Sequence, residues 1–177
     1  MVRRMHALAR PHGPELAQRL RDLSRLYVAA LQESVGPALV SAVLFGSVAR
    51  GEAGPVSDID LLVVVEGLPP SQLARQDVLR AADARIEPER VRLRRQGIVT
   101  DVRPILKTPE EAQRITPLYL DMVEDADLLY DRDGFFAAIL GRLRARLTAL
   151  GARRVRRGQA WYWDLKPDFR PGEIFEL

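Results

Sequence analysis

Residues 41–65, SAVLFGSVARGEAGPVSDIDLLVVV, constrain this chain more than any other stretch. An apolar run from Ala42 to Phe45 ends in Gly46-Ser47, and ten residues after Ser47 comes Ser57-Asp58-Ile59-Asp60. A second apolar run, Leu61 to Val65, follows directly. The pattern reads as strand, phosphate-binding turn, short helix, loop and strand. Asp58 and Asp60 stand two residues apart at the start of the second strand. Strand side chains alternate faces, so both carboxylates project from one side, roughly 7 Å apart along the backbone. That placement suits joint ligation of a hard divalent cation by oxygen. Gly46 lets the backbone approach a phosphate with no Cβ in the way. Ser47 adds a hydroxyl and an N–H near the start of a helical turn, where anions are favoured.

Gly-Ser, Ala-Arg-Gly and Ser-Asp-Ile-Asp-Leu-Leu-Val stand here in one order and at one separation. In this the chain resembles the minimal nucleotidyltransferases of the DNA polymerase beta superfamily, over roughly residues 38–107. Either piece alone is a weak signal, since a Gly-Ser turn is usually only a turn and Asp-x-Asp usually a solvated strand edge. The resemblance implies a nucleotidyltransferase fold: an α+β architecture with a mixed β-sheet covered by helices. It also implies a third carboxylate on a later strand. Within residues 98–106, IVTDVRPIL, Asp101 is the only acid. An unpaired buried carboxylate is expensive, so it needs either a partner or a surface position. Pro104 pushes this strand toward a sheet edge, which leaves a surface-facing Asp101 as the alternative.

Composition narrows the class. At 177 residues the chain suits one domain with an extension, and it can bury a core. There is no cysteine, so disulfides and thiolate metal sites are excluded. His6 and His12 fit no zinc spacing and are expected at the surface. No long apolar run exists to span a membrane, and no apolar segment follows the basic N-terminus as in a signal peptide. A cytoplasmic location without membrane contact is therefore expected. Lys107 and Lys166 are the only lysines; arginine suits phosphate, but GC-rich coding produces the same bias.

The remaining elements follow from periodicity. Residues 1–12 are expected to fray. Gly13-Pro14-Glu15 starts a helix with Leu16, Leu20, Leu23, Tyr27, Ala30 and Leu31 inward, and Gly36-Pro37 stops it. The first strand runs from about Leu39 to Phe45. Ser71 caps a helix to about Glu87, with Leu73, Val78, Leu79 and Ala82 inward. Pro88 is expected to interrupt it, and Arg90, Arg92, Arg94 and Arg95 beyond it read as a solvated face. Thr108-Pro109 opens another helix, Pro117 the next, residues 127–130 form a short strand, and Asp133 caps a helix to Leu150. The chain divides at about residue 107 into a core with an N-terminal helix and a helical and tail extension, 108–177, packed on it. Seven arginines and no acid lie between Arg142 and Arg157, followed by Trp161-Tyr162-Trp163. These aromatics either pack on the core or a partner subunit, making a homodimer possible, or stack on nucleic acid.

The chemistry implied is attack of an acceptor hydroxyl on the α-phosphate of a nucleoside triphosphate, with two magnesium ions (manganese as substitute) neutralising charge. The expected metal-binding and catalytic set is Asp58, Asp60 and Asp101, with Asp58 and Asp60 bridging both ions. Gly46, Ser47 and Arg50 form the nucleotide site; Arg50 either pairs with phosphate or locks the loop through an acid. The expected function is transfer of a nucleoside monophosphate, AMP from ATP, to a protein or small-molecule hydroxyl. The alternatives are a nucleic-acid-directed transferase or binder, and a non-catalytic, antitoxin-like partner of a HEPN-type protein, a partner implied by the resemblance alone.

Overall fold

The computed structural model describes residues 13–158, 160–170 and 173–174, with backbone alone at 160 and 161. His6, His12 and the Trp161 side chain lie outside the described residues. Helix α1 (Pro14–Val35) opens with Pro14 at its first turn, and its apolar stripe from Leu16 to Leu31 is buried as the spacing requires. Strand β1 (Leu39–Phe45) leads into the single turn α2 (Gly46–Ala49) and then to β2 (Ile59–Val65). A short α3 (Gln72–Arg75), capped by the Ser71 hydroxyl, precedes α4 (Arg80–Arg95). Strand β3 (Val102–Lys107) follows, then α5 (Pro109–Ala112), α6 (Pro117–Asp125), β4 (Asp127–Asp131) and α7 (Phe135–Ala149). A hairpin of β5 (Arg153–Arg157) and β6 (Ala160–Asp164) is the last sheet element among the described residues.

The four-stranded sheet has the order β3-β2-β1-β4. β1 pairs antiparallel with β2 and β4, whereas β2 and β3 run parallel, their crossover being α3 and α4. Both faces are covered, which is why β1 and β2 read as unbroken apolar runs. Odd-numbered residues of β2 (Ile59, Leu61, Val63, Val65) pack with α1 and α4, while Leu62 and Val64 pack with Tyr119, Val123, Phe136 and Leu140 from α6 and α7. Burying each such side chain stabilises by about 1.5–3 kcal/mol. Alternation then places Asp60 on the α6/α7 face, just past the end of its core.

Four expectations are corrected. Pro88 lies within α4 and does not end it; Ile86 before it and Leu93 after it are both buried, and that burial outweighs a proline penalty of about 3 kcal/mol. Leu73 is not inward but 82% exposed, because α3 is a lone turn that breaks the register with α4. β3 begins at Val102, so Asp101 immediately precedes the strand. The cap of α7 is Asp131 rather than Asp133: its carboxylate accepts from the Phe136 and Ala137 amides and from the Ser41 hydroxyl.

A buried lock joins α3 to the α5 turn. Arg75, 3% exposed, donates to both carboxylate oxygens of Glu111 at 2.7 and 2.8 Å and to the Pro69 carbonyl at 2.7 Å. Glu111 also closes the capping box with Thr108.

Candidate active site

The site forms where β1 ends and β2 begins. Phe45 is opposite Asp60 in the β1–β2 ladder, so Gly46 turns directly over the Asp60 side chain. Gly46 has φ +75°, a conformation that favours glycine. A Cβ there would overlap Asp60 Oδ2 and lie 3.4 Å from its Cγ. The glycine is thus required twice, by backbone conformation and by the carboxylate beneath it. The turn is closed by the Arg50 amide to the Gly46 carbonyl (3.2 Å) and the Glu52 amide to the Ser47 carbonyl (2.9 Å).

Asp58 and Asp60 are brought together. Burial, then the negative charge of Asp58, raises the Asp60 pKa above its ordinary value, and Arg103 and Arg50 oppose the rise. A carboxylate whose ionised form is disfavoured by a neighbouring acid makes, with that acid, an oxygen-rich site that a divalent cation would relieve. Asp101 adjoins them through its backbone: its amide donates to Asp58 Oδ1 at 3.1 Å, and its carbonyl accepts from the Ile59 amide at 2.8 Å. Its carboxylate, 59% exposed, is held by Arg90. Among the described residues, no group of three or more His, Asp or Glu side chains is arranged to hold a metal. The structure therefore pairs Asp58 with Asp60 and turns the Asp101 side chain to an arginine.

Two arginines were not singled out for this site by the sequence reading. Arg103 lies opposite Asp60 in the parallel β2–β3 ladder and reaches Asp58 Oδ2 at 2.7 Å. No local pattern announces this contact, since Asp58 lies 45 positions away in the chain. Arg90 also donates to the Thr100 carbonyl (3.2 Å) and Glu87 (3.0 Å), so it does not belong to the solvated face that Arg92, Arg94 and Arg95 present. Arg50 donates to Glu52 Oε2 at 2.8 Å, the loop-locking alternative, while remaining close enough to act electrostatically on Asp60.

The nucleotidyltransferase domain family profile matches residues 25–128, more than half of the chain and all of the site. The chain belongs to that family. A protein of Methanocaldococcus jannaschii described as a candidate protein adenylyltransferase is 35% identical over 127 residues, 71% of this chain and 81% of that protein. Among solved structures, a toxin–antitoxin pair with AMP-PNP is similar at 17% identity and a TM-score of 0.44, over 72% of this chain and 92% of that one. A Shewanella oneidensis complex of a tri-AMPylated HEPN toxin with an MNT antitoxin gives 16% and 0.43, over 74% and 92%. No helix among the described residues is long and apolar enough to cross a membrane.

Proposed function

We propose that this nucleotidyltransferase moves AMP from ATP to a hydroxyl of a protein acceptor. The observation that carries the reading is the Asp58–Asp60 pair seated under Gly46, a carboxylate couple placed beside a turn that admits phosphate. The protein acceptor is favoured by the 35% identical adenylyltransferase relative, aligned over most of both chains. In the reaction the acceptor oxygen forms a bond to the α-phosphorus, the bond from that phosphorus to the β-bridging oxygen breaks, and pyrophosphate leaves. The hydroxyl proton passes to solvent.

The roles of the residues follow. Asp58 and Asp60 would hold magnesium, and Asp101 would add a third oxygen only on leaving Arg90. Magnesium, when bound, supplies charge neutralisation for the phosphates. Gly46 and Ser47 admit the β- and γ-phosphates to the turn. Arg50 holds that turn through Glu52, and Arg103 offsets the charge of Asp58. Steady-state pyrophosphate release with each triphosphate tests the reading. Wild type is expected to prefer ATP, and Asp58→Ala and Asp60→Ala to lose release while keeping the native circular dichroism. Unchanged release in either folded variant contradicts it.

A further inference from the structure

The C-terminal hairpin β5–β6 is used by none of the chemistry above, yet the fold anchors it toward the end of the sheet that carries the site. Asp127 at the start of β4 pairs with Leu44 near the end of β1, and Phe45 pairs with Asp60. The α6–β4 junction therefore lies at the carboxylate end of the sheet, two strands from Asp60, about 10 Å at ordinary strand spacing. The hairpin is fastened to that junction by Arg154, which bonds Asp125 at 2.9 Å, and α7 before it is tied to α6 by Arg144, which donates to the Val123 carbonyl. Trp163, Leu165 and Ala152 pack against the same core cluster as Phe45, the cluster on whose face Asp60 projects. The hairpin thus shares both the end and the face of the catalytic carboxylates.

Its register sorts its side chains. Arg154 is opposite Trp163 and turns inward, half-buried. The other face carries Arg153 opposite Asp164, Val155 opposite Tyr162, and Arg157. Arg153, which pairs with Asp164 at 3.4 Å, is 66% exposed and Tyr162 53% exposed, so this face is wet, with one ring between the Arg153–Asp164 pair and Arg157. Beside it, Tyr162, Trp163, Leu165 and Phe169, with Asp164 and Lys166, line an open hollow of about 360 Å³. Of the seven arginines from Arg142 to Arg157, Arg154 pairs with Asp125 and Arg153 with Asp164, and the others leave the hairpin and the helix before it net positive.

We infer that the outer face of the β5–β6 hairpin is the acceptor-docking surface, and that it takes an acidic protein segment with an apolar side chain beside the hydroxyl that receives AMP. This rests on the reading of the protein as a protein adenylyltransferase. The positive charge calls for an anionic partner. The hollow beside it calls for an apolar anchor, which an acidic peptide supplies and a phosphate backbone does not. A single-stranded nucleic acid would call for successive stacking rings, whereas the outward face holds Tyr162 alone among its described side chains.

The test uses the full chain and a fluorescent random copolymer of glutamate and tyrosine, with a lysine–tyrosine copolymer and an oligouridylate as comparisons, all without ATP. The glutamate–tyrosine copolymer is expected to bind and to be released by salt. Arg153→Gln/Arg157→Gln is expected to weaken it about tenfold, two exposed ion pairs' worth, with ATP affinity measured separately and unchanged. Arg153→Lys/Arg157→Lys, which keeps the charge and checks the fold, is expected to retain binding. Failure of the acidic copolymer to bind, no loss in the glutamine variant, or tighter binding of oligouridylate would each overturn the inference. A chain that binds the copolymer but no ATP would instead remove the adenylyl-transfer reading.

Discussion

Replacing Gly46 with alanine separates backbone strain from damage to the carboxylate pair. At φ +75° an alanine costs roughly 1–2 kcal/mol, partly offset by about 0.4–1 kcal/mol of lost freedom in the unfolded chain. Gly51 is the matched control, with φ +76° and nothing within 4 Å of the place a Cβ would take. Both alanine variants should therefore melt lower by a similar margin, about 2–4 °C for a domain of this size. Only at Gly46 does the new methyl overlap Asp60 Oδ2, with Cγ at 3.4 Å and Cβ at 3.5 Å leaving it no room to retreat along its own axis. The carboxylate must swing aside, and a misplacement of roughly 1 Å costs about 100-fold in rate. The assay is pyrophosphate release at saturating ATP, with melting curves on the same samples. A Gly46→Ala enzyme as active as Gly51→Ala would refute the claim that Gly46 is there to let Asp60 take its place.

Other perturbations have defined outcomes. Asp60→Asn removes a carboxylate whose pKa is raised by burial and by Asp58, so the fold binds its proton more tightly than the unfolded chain and loses stability as pH rises above 3.8. The amide should thus leave melting at neutral pH unchanged or higher while abolishing AMP transfer. Arg75, then the Thr108 amide, hold the Glu111 carboxyl down at about 2, so its contribution is complete above 4.5 and fades as pH falls toward 2. Allowing for solvent screening of this part-exposed group, Glu111→Gln should lower stability by about 1–2 kcal/mol above pH 4.5, and the gap to wild type should close on acidification in denaturant titrations. Asp131→Ala strips the α7 cap and leaves the buried Ser41 hydroxyl unpaired, which should cost about 2–3 kcal/mol in urea unfolding with turnover of the folded enzyme intact.

The strands and the carboxylate pair were legible because the signals are local. Unbroken apolar runs in β1 and β2 announce a sheet covered on both faces, and the close spacing of Asp58 and Asp60 foretells that Asp58 acts on Asp60, although β2 begins only at Ile59 and Asp58 precedes it. What was not legible depends on partners distant in the chain. Arg90 beside Asp101, Arg103 on Asp58 and Arg75 on Glu111 are pairings across 11, 45 and 36 positions, set by the crossover and by which residue ends a strand. An arginine in a basic run looks solvated until the fold supplies an acid. Pro88 shows the converse: a strong local signal yielded to burial of Ile86 and Leu93 on either side of it.

The most direct test of AMP transfer is to incubate wild type and Asp58→Asn with magnesium, host lysate and ATP labelled at either the α- or the γ-phosphate. Protein-bound label from the α-position alone, absent with Asp58→Asn, is the expected result. Label arriving from the γ-position, or α-label undiminished in Asp58→Asn, would contradict the account.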